Sequence, residues 1–150
     1  LRDVVLLEAL PAAELRAECA RRSVAVPSLP IAMPEDEAKE QVLDALKFSM
    51  FRRAFDAMSL PTHVLRTFKA ASSIAREWTV IEAMLDSDVA RRYVDLGLSP
   101  QYMRPREVRD RLKQVALWLA IPFKDLQHEC VVNQVNSYTK EGDRHTLVRR

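Results

Sequence analysis

With 150 residues, 48% of them hydrophobic, the chain is long enough for one compact domain or two small abutting ones to bury a core. Only two glycines are present, which leaves little material for hairpins or phosphate-cradling loops and predicts a nearly all-helical chain. Charged residues make up 29%, yet the formal net charge is +2, which excludes a strong overall field drawing nucleic acid or anionic membrane to the whole chain.

Proline punctuates the helices. It lacks an amide hydrogen and holds a fixed φ, so it fits the first turn of a helix and disrupts the interior. Pro11, Pro34, Pro61, Pro105 and Pro122 each precede a stretch of helical periodicity, whereas Pro27 and Pro30 mark a connector over 24–33. After Pro34, the acidic Glu35, Asp36 and Glu37 suit the positive end of a helix dipole. Two adjoining stripes follow: Leu43, Leu46, Met50, Ala54 and Ala57 on one, Phe48, Phe51, Phe55 and Met58 on the other. Such a helix needs cover over a wide arc. After Pro61, the run Leu65, Phe68, Ala71, Ala75, Trp78, Ile81 and Leu85 predicts one long single-faced helix. Ser87 is the expected N-cap of the next helix, and Gly97 is placed to stop it. Val108, Leu112, Val115 and Leu119 mark another helix after Pro105. The last follows Pro122, with Phe123, Leu126 and Cys130 beside a stripe of Val131, Val135 and Tyr138. The polar tail over 139–150 loses the pattern and is expected to be either frayed or ordered by a partner.

A two-fold echo runs through these elements. Leu7-Glu8-Ala9-Leu10 matches Ile81-Glu82-Ala83-Met84, Cys19 meets Tyr93, and Val24 meets Leu98, all at an offset of 74 residues. Leu60-Pro61 returns as Ile121-Pro122. The match is one of residue class and position. It predicts an all-α fold of about six helices in two related three-helix units, 1–79 and 80–150, joined by the long helix through Trp78.

Catalytic and metal-binding patterns are absent from the sequence. His63, His128 and His145 have no cysteine or carboxylate at a tight ligand spacing; His128 and Cys130 fall on different helical faces. Asp86-Ser87-Asp88 resembles the opening of a calcium loop, but Ala90, Arg91 and Gly97 stand where that loop needs a ligand, a glycine and a glutamate. No Gly-rich nucleotide motif occurs, and Ser49, Ser72 and Ser73 have no nearby histidine base. No enzyme activity, cofactor, metal or small-molecule substrate is therefore expected. Cys19 and Cys130 lie at apolar positions and read as buried thiols rather than a disulfide framework. The longest apolar run, 115–121, is far short of the ~20 residues of a membrane span. The chain begins at Leu1 without a methionine, which leaves room for a removed presequence or further domain.

Arginine outnumbers lysine, and it clusters at Arg21-Arg22, at Arg52-Arg53, at Arg91-Arg92 and in the group Arg104, Arg106, Arg109, Arg111, Lys113. Interleaved Glu107 and Asp110 favour a solvated face over a nucleic-acid surface. The aromatics fall on apolar stripes and leave no base-stacking platform. The expected partner-binding residues are Arg52, Arg53, Tyr102, Arg104, Arg106 and the terminal Arg149 and Arg150.

The segment Leu10-Pro11-Ala12-Ala13-Glu14-Leu15-Arg16-Ala17-Glu18-Cys19-Ala20-Arg21-Arg22-Ser23-Val24 resembles the start of the LETM-type, ribosome-binding-like helical domain. That family shows a Leu-x-x-x-Glu-Leu-x-x-Ala-Cys-x-x-Arg-Gly helix, a second helix ending in Leu-x-x-Trp-Leu, and a proline that opens a leucine-rich third. Leu43-Asp44-Ala45-Leu46-Lys47-Phe48 takes the second place and Leu60-Pro61-Thr62-His63-Val64-Leu65 the third. Arg111-Leu112-Lys113-Gln114 with Trp118-Leu119, then Ile121-Pro122, repeat the scheme. Ser23 replaces the glycine, the 24–33 connector is long, and the membrane segment tied to ion exchange in that family is missing, so transport is not carried over. The first block is also similar to the SAP motif, a two-helix nucleic-acid module, which would direct Arg16, Arg21 and Arg22 to DNA or RNA.

The LETM-type likeness implies a mitochondrial location, matrix-side or associated with the inner membrane, and a docking role. The expected function is that of a non-catalytic accessory or assembly subunit of a large complex, respiratory chain or ATP synthase, bound to other protein subunits. The alternative is a mitoribosomal or other RNA-binding helical protein using the same arginines on phosphates.

Overall fold

The computed structural model describes residues 2–26, 28, 30, 32–132 and 144–149, and all regular structure among them is helical. Eight helices occur among the described residues: α1 (Arg2–Ala9), α2 (Ala12–Arg21), α3 (Glu35–Ala57), α4 (Phe68–Ala83), α5 (Asp86–Asp95), α6 (Pro105–Ala120), α7 (Phe123–Val132) and α8 (Arg144–Arg149). The chain divides into two compact units, Leu1–Ala71 and Ser72–Arg150, and the division falls inside α4.

In the first unit, Leu7, Leu15, Cys19, Val42 and Leu46 form the core, with Leu10, Val24, Leu43 and Met50 packed against it. These residues recur every three or four positions on α2 and α3, so each helix lays one stripe on the other. The wide apolar arc of α3 is satisfied on two sides. Its second stripe places Phe51 and Phe55 against Phe68, with ring centroids 5.3 and 6.0 Å apart. Burying aromatic rings in tilted contact adds roughly 0.5–1.5 kcal/mol per pair beyond the area removed from water.

In the second unit the core is Ile81, Val89, Tyr93, Val108 and Leu112, flanked by Met84, Leu96, Leu98, Met103 and Ala116. The same local devices recur in both units. α1 and α4 end at Ala9 and Ala83, and α2 and α5 share length and boundaries, all at the 74-residue offset. Val24 N–H donates to the Cys19 carbonyl at 2.9 Å, and Leu98 N–H donates to the Tyr93 carbonyl at 3.2 Å. Both bonds close a helix through a left-handed residue, Ser23 at φ 54° and Gly97 at φ 78°. Lys47 pairs with Glu8 at 2.6 Å, and Lys113, at the corresponding place, pairs with Glu82.

Three expectations are corrected. Eight helices replace six: α1 forms ahead of Pro11, and α8 forms in the polar tail, where Leu147 and Val148 are buried. The long helix does not start after Pro61. Val64 and Leu65 N–H both donate to the Pro61 carbonyl at 3.0 Å, which closes a single turn, and α4 begins only at Phe68. At that start Ala70 N–H bonds the Thr67 hydroxyl, while Asp44 of α3 accepts from Phe68 and Lys69 N–H at 2.9 and 3.0 Å. A carboxylate distant in sequence thus helps decide where the helix begins. Leu85, in extended conformation, is the N-cap of α5, and Ser87 lies inside its first turn. Pro27, Val135 and Tyr138 lie outside the described residues.

Candidate functional site

Basic residues in this protein are of two kinds, those committed to contacts within the fold and those left exposed. Arg109 and Lys113 stand at the edge of the buried α6 stripe, one residue beyond Val108 and Leu112, and each side chain is only 17% exposed. Arg109 donates to the Ile81 carbonyl at 3.2 Å, to the Met84 carbonyl at 2.7 Å and to Asp86 at 2.9 Å. It therefore bonds the Ile81 carbonyl in the last turn of α4, which also accepts from Met84 N–H, and the Met84 carbonyl just past that helix. The Lys113 ammonium binds Glu82 and lies 5.6 Å from the Trp78 ring centroid, while the Trp78 indole N–H donates to the Lys113 carbonyl at 3.0 Å. Lys113 holds the Glu82 carboxyl below the usual carboxylate range, mainly through that hydrogen bond. These two cations fasten α6 to α4 and are not free for phosphates.

Other basic residues are likewise committed. Arg21 and Arg22 both reach the buried Glu18, Arg92 pairs with Glu77, and Arg91 pairs with Asp88 at 2.7 Å. Arg52 and Arg53 differ. Both are exposed on α3 and have no hydrogen bond or ion pair among the described residues.

The remaining candidates of the second unit converge on one corner. Pro100 through Met103 form a tight turn closed by Met103 N–H on the Pro100 carbonyl at 3.1 Å. Its third residue, Tyr102, sits at φ 65° and is fully exposed. That conformation suits glycine; a tyrosine there costs about 1 kcal/mol and gains no burial in return. Next to that turn Arg104 caps α6. Its N–H donates to Glu107 at 2.9 Å and its guanidinium forks onto the same carboxylate at 2.7 and 3.0 Å. The Arg104 N–H, then its guanidinium, hold Glu107 below the usual carboxylate range. Arg106 meets Asp110 only loosely, at 3.8 Å. Both arginine side chains are 84% exposed. An open groove of about 410 Å³, lined by Met103, Glu107, Asp110, Arg111 and Gln114, borders this corner.

Arg52 and Arg53 belong to the first unit, and Tyr102, Arg104 and Arg106 to the second. Arg149 ends α8, its side chain lying outside the described part, and Arg150 lies outside the described residues. The inward roles of Arg109 and Lys113 were missed from sequence. The available signal was their position, one step off the Val108 and Leu112 stripe. Cys19 and Cys130 are buried thiols, and burial pushes the Cys19 thiol up. His63, His128 and His145 are exposed, and no group of three or more potential metal ligands occurs among the described residues. No described helix is long and apolar enough to cross a membrane.

No protein-family model, curated protein or solved structure matches this chain.

Proposed function

We propose that this chain is a non-catalytic accessory or assembly subunit of a large mitochondrial complex, a respiratory-chain or ATP-synthase assembly, in which it serves as a helical docking scaffold. One observation carries the reading. Tyr102 is presented fully exposed on a turn that glycine would form at lower cost, beside the largely exposed side chains of Arg104 and Arg106. The exposed Tyr102 ring gives the isolated chain no burial to offset that cost. A partner that buries the ring gains area from tyrosine and directional bonds from arginine, the residue types that dominate protein interfaces. The mitochondrial assignment draws on the LETM-type likeness of the first block.

The test is gentle purification of the tagged chain from its own cells, followed by native separation and identification of what accompanies it. Stoichiometric recovery in a respiratory or synthase assembly is expected. Tyr102→Ala should weaken that recovery without lowering the unfolding midpoint of the purified chain. Recovery as a lone monomer would refute the proposal.

RNA binding is the second reading, favoured by Arg52 and Arg53, which are exposed and have no partner among the described residues. It requires RNA affinity that falls steeply with added salt and weakens in the Arg52→Ala, Arg53→Ala double variant.

A further inference from the structure

The C-terminal end of α6 is built to receive a cation. The helix stops at Ala120, Ile121 is extended, and Pro122 has no N–H to return to the last turn. Ile121 N–H still bonds the Leu117 carbonyl. The carbonyls of Trp118, Leu119 and Ile121 instead take a guanidinium from α8: Arg144 Nη1 lies 3.2, 3.1 and 2.6 Å from them. The same guanidinium stands 5.9 Å from the Phe123 ring centroid. The corresponding end of α3 has no such need. There Met58 N–H donates to the Ala54 carbonyl and Leu60 N–H to the Phe55 carbonyl, through Ser59 at φ 58°.

The occupant is short and simple. Leu147 and Val148, three and four residues after Arg144, share its helical face and are buried, while His145 and Thr146 are exposed. α8 has six residues, well below the ~12–15 at which an isolated helix becomes even marginally stable in water. It packs on α6 and is joined to α7 through residues 133–143.

We propose that this seat is a docking groove for a short helical segment of a partner protein, with an arginine at its start and aliphatic residues three and four positions later. α8 fills the groove in cis and is displaced by that segment. The recognition chemistry is what α8 displays: a guanidinium for three carbonyls and an aromatic face, and two aliphatic side chains to bury. The inference goes beyond the scaffold reading and stands without it.

The test uses the full chain carrying Arg144→Ala and Leu147→Asp, and a fluorescent peptide with the sequence of residues 141–150. Peptide binding is followed by anisotropy, and amide hydrogen exchange is followed across both units. Removing the tethered competitor should let the peptide bind the variant roughly tenfold or more tightly than it binds the unaltered chain. The same peptide with alanine in place of its first arginine should not bind. A variant that keeps the amide protection of α5 and α6 but fails to take up the peptide overturns the proposal. So does a variant in which α5 and α6 lose their protection together, because α8 would then be part of the core and not a displaceable segment.

Discussion

Arg109 offers the sharpest test of how the second unit is held. Replacing it with alanine removes two bonds to the carbonyls of Ile81 and Met84 and the contact with Asp86. A bond from a charged donor to a half-buried carbonyl contributes about 1 kcal/mol once water is allowed to compete, toward the low end of the usual range. The Asp86 pair, with a carboxylate 58% exposed, adds at most about 0.5 kcal/mol. The sum is about 2–3 kcal/mol. Trp78 and Trp118 are the chain's two tryptophans and both lie in the second unit, so fluorescence during urea unfolding reads that unit selectively. With a slope of about 1–2 kcal/mol per M for a unit of this size, the Arg109→Ala midpoint should fall by roughly 1–3 M. Arg109→Lys keeps the charge but cannot fork between carbonyls, and should recover less than half of the loss. Arg111→Ala, two residues away and exposed, is the control and should leave the midpoint in place. An Arg109→Ala midpoint within about 0.3 M of the unaltered chain would show that the α4 carbonyls are satisfied by water, and the fastening role would be abandoned.

Asp44→Ala should cost about 1–2 kcal/mol, because two amides at the start of α4 lose their acceptor, and Asp44→Asn should cost less. Faster hydrogen exchange at Phe68, Lys69 and Ala71 would report it. Gly97→Ala should destabilise the second unit by about 1 kcal/mol, since a Cβ is disfavoured at φ 78°. Its tryptophan-detected midpoint should fall while the helical signal at neutral pH stays unchanged. The Glu82 carboxyl is held low in the folded chain, so its contribution is present above the ordinary glutamate range and is lost as pH falls through the lowered folded value. Midpoints measured from pH 7 down to pH 3 should therefore converge for the unaltered chain and Glu82→Gln at the acid end. Parallel profiles would remove Lys113 and Glu82 as a contributing pair.

Local chemistry was enough for much of this protein. Two glycines and the three-and-four spacing of Leu15, Cys19, Val42, Leu46, Val108 and Leu112 determine helices with a single buried face, because burying that stripe is the only way to remove it from water. Gly97 as a helix stop was legible for the same reason: φ, unlike a contact, is a property of one residue. The candidate corner was legible in part. Tyr102, Arg104 and Arg106 could be named from sequence, but the exposed, left-handed setting of Tyr102 could not.

Tertiary structure decided what depends on residues far apart. The periodicity from Leu65 through Phe68 reads as one uninterrupted helix, yet the chain breaks there because Asp44 reaches the amides of Phe68 and Lys69 from α3. Arg109 and Lys113 look like their neighbours Arg106 and Arg111 in sequence, but lie against the carbonyls and carboxylates of α4. The tail read as either frayed or ordered by a partner because six residues carry too little hydrophobic pattern to signal a helix; α8 forms where α6 and Pro122 leave carbonyls that Arg144 can reach. In each case the deciding partner is close in space and distant in sequence, so the loop-closing cost and the bond that offsets it exist only in the folded chain.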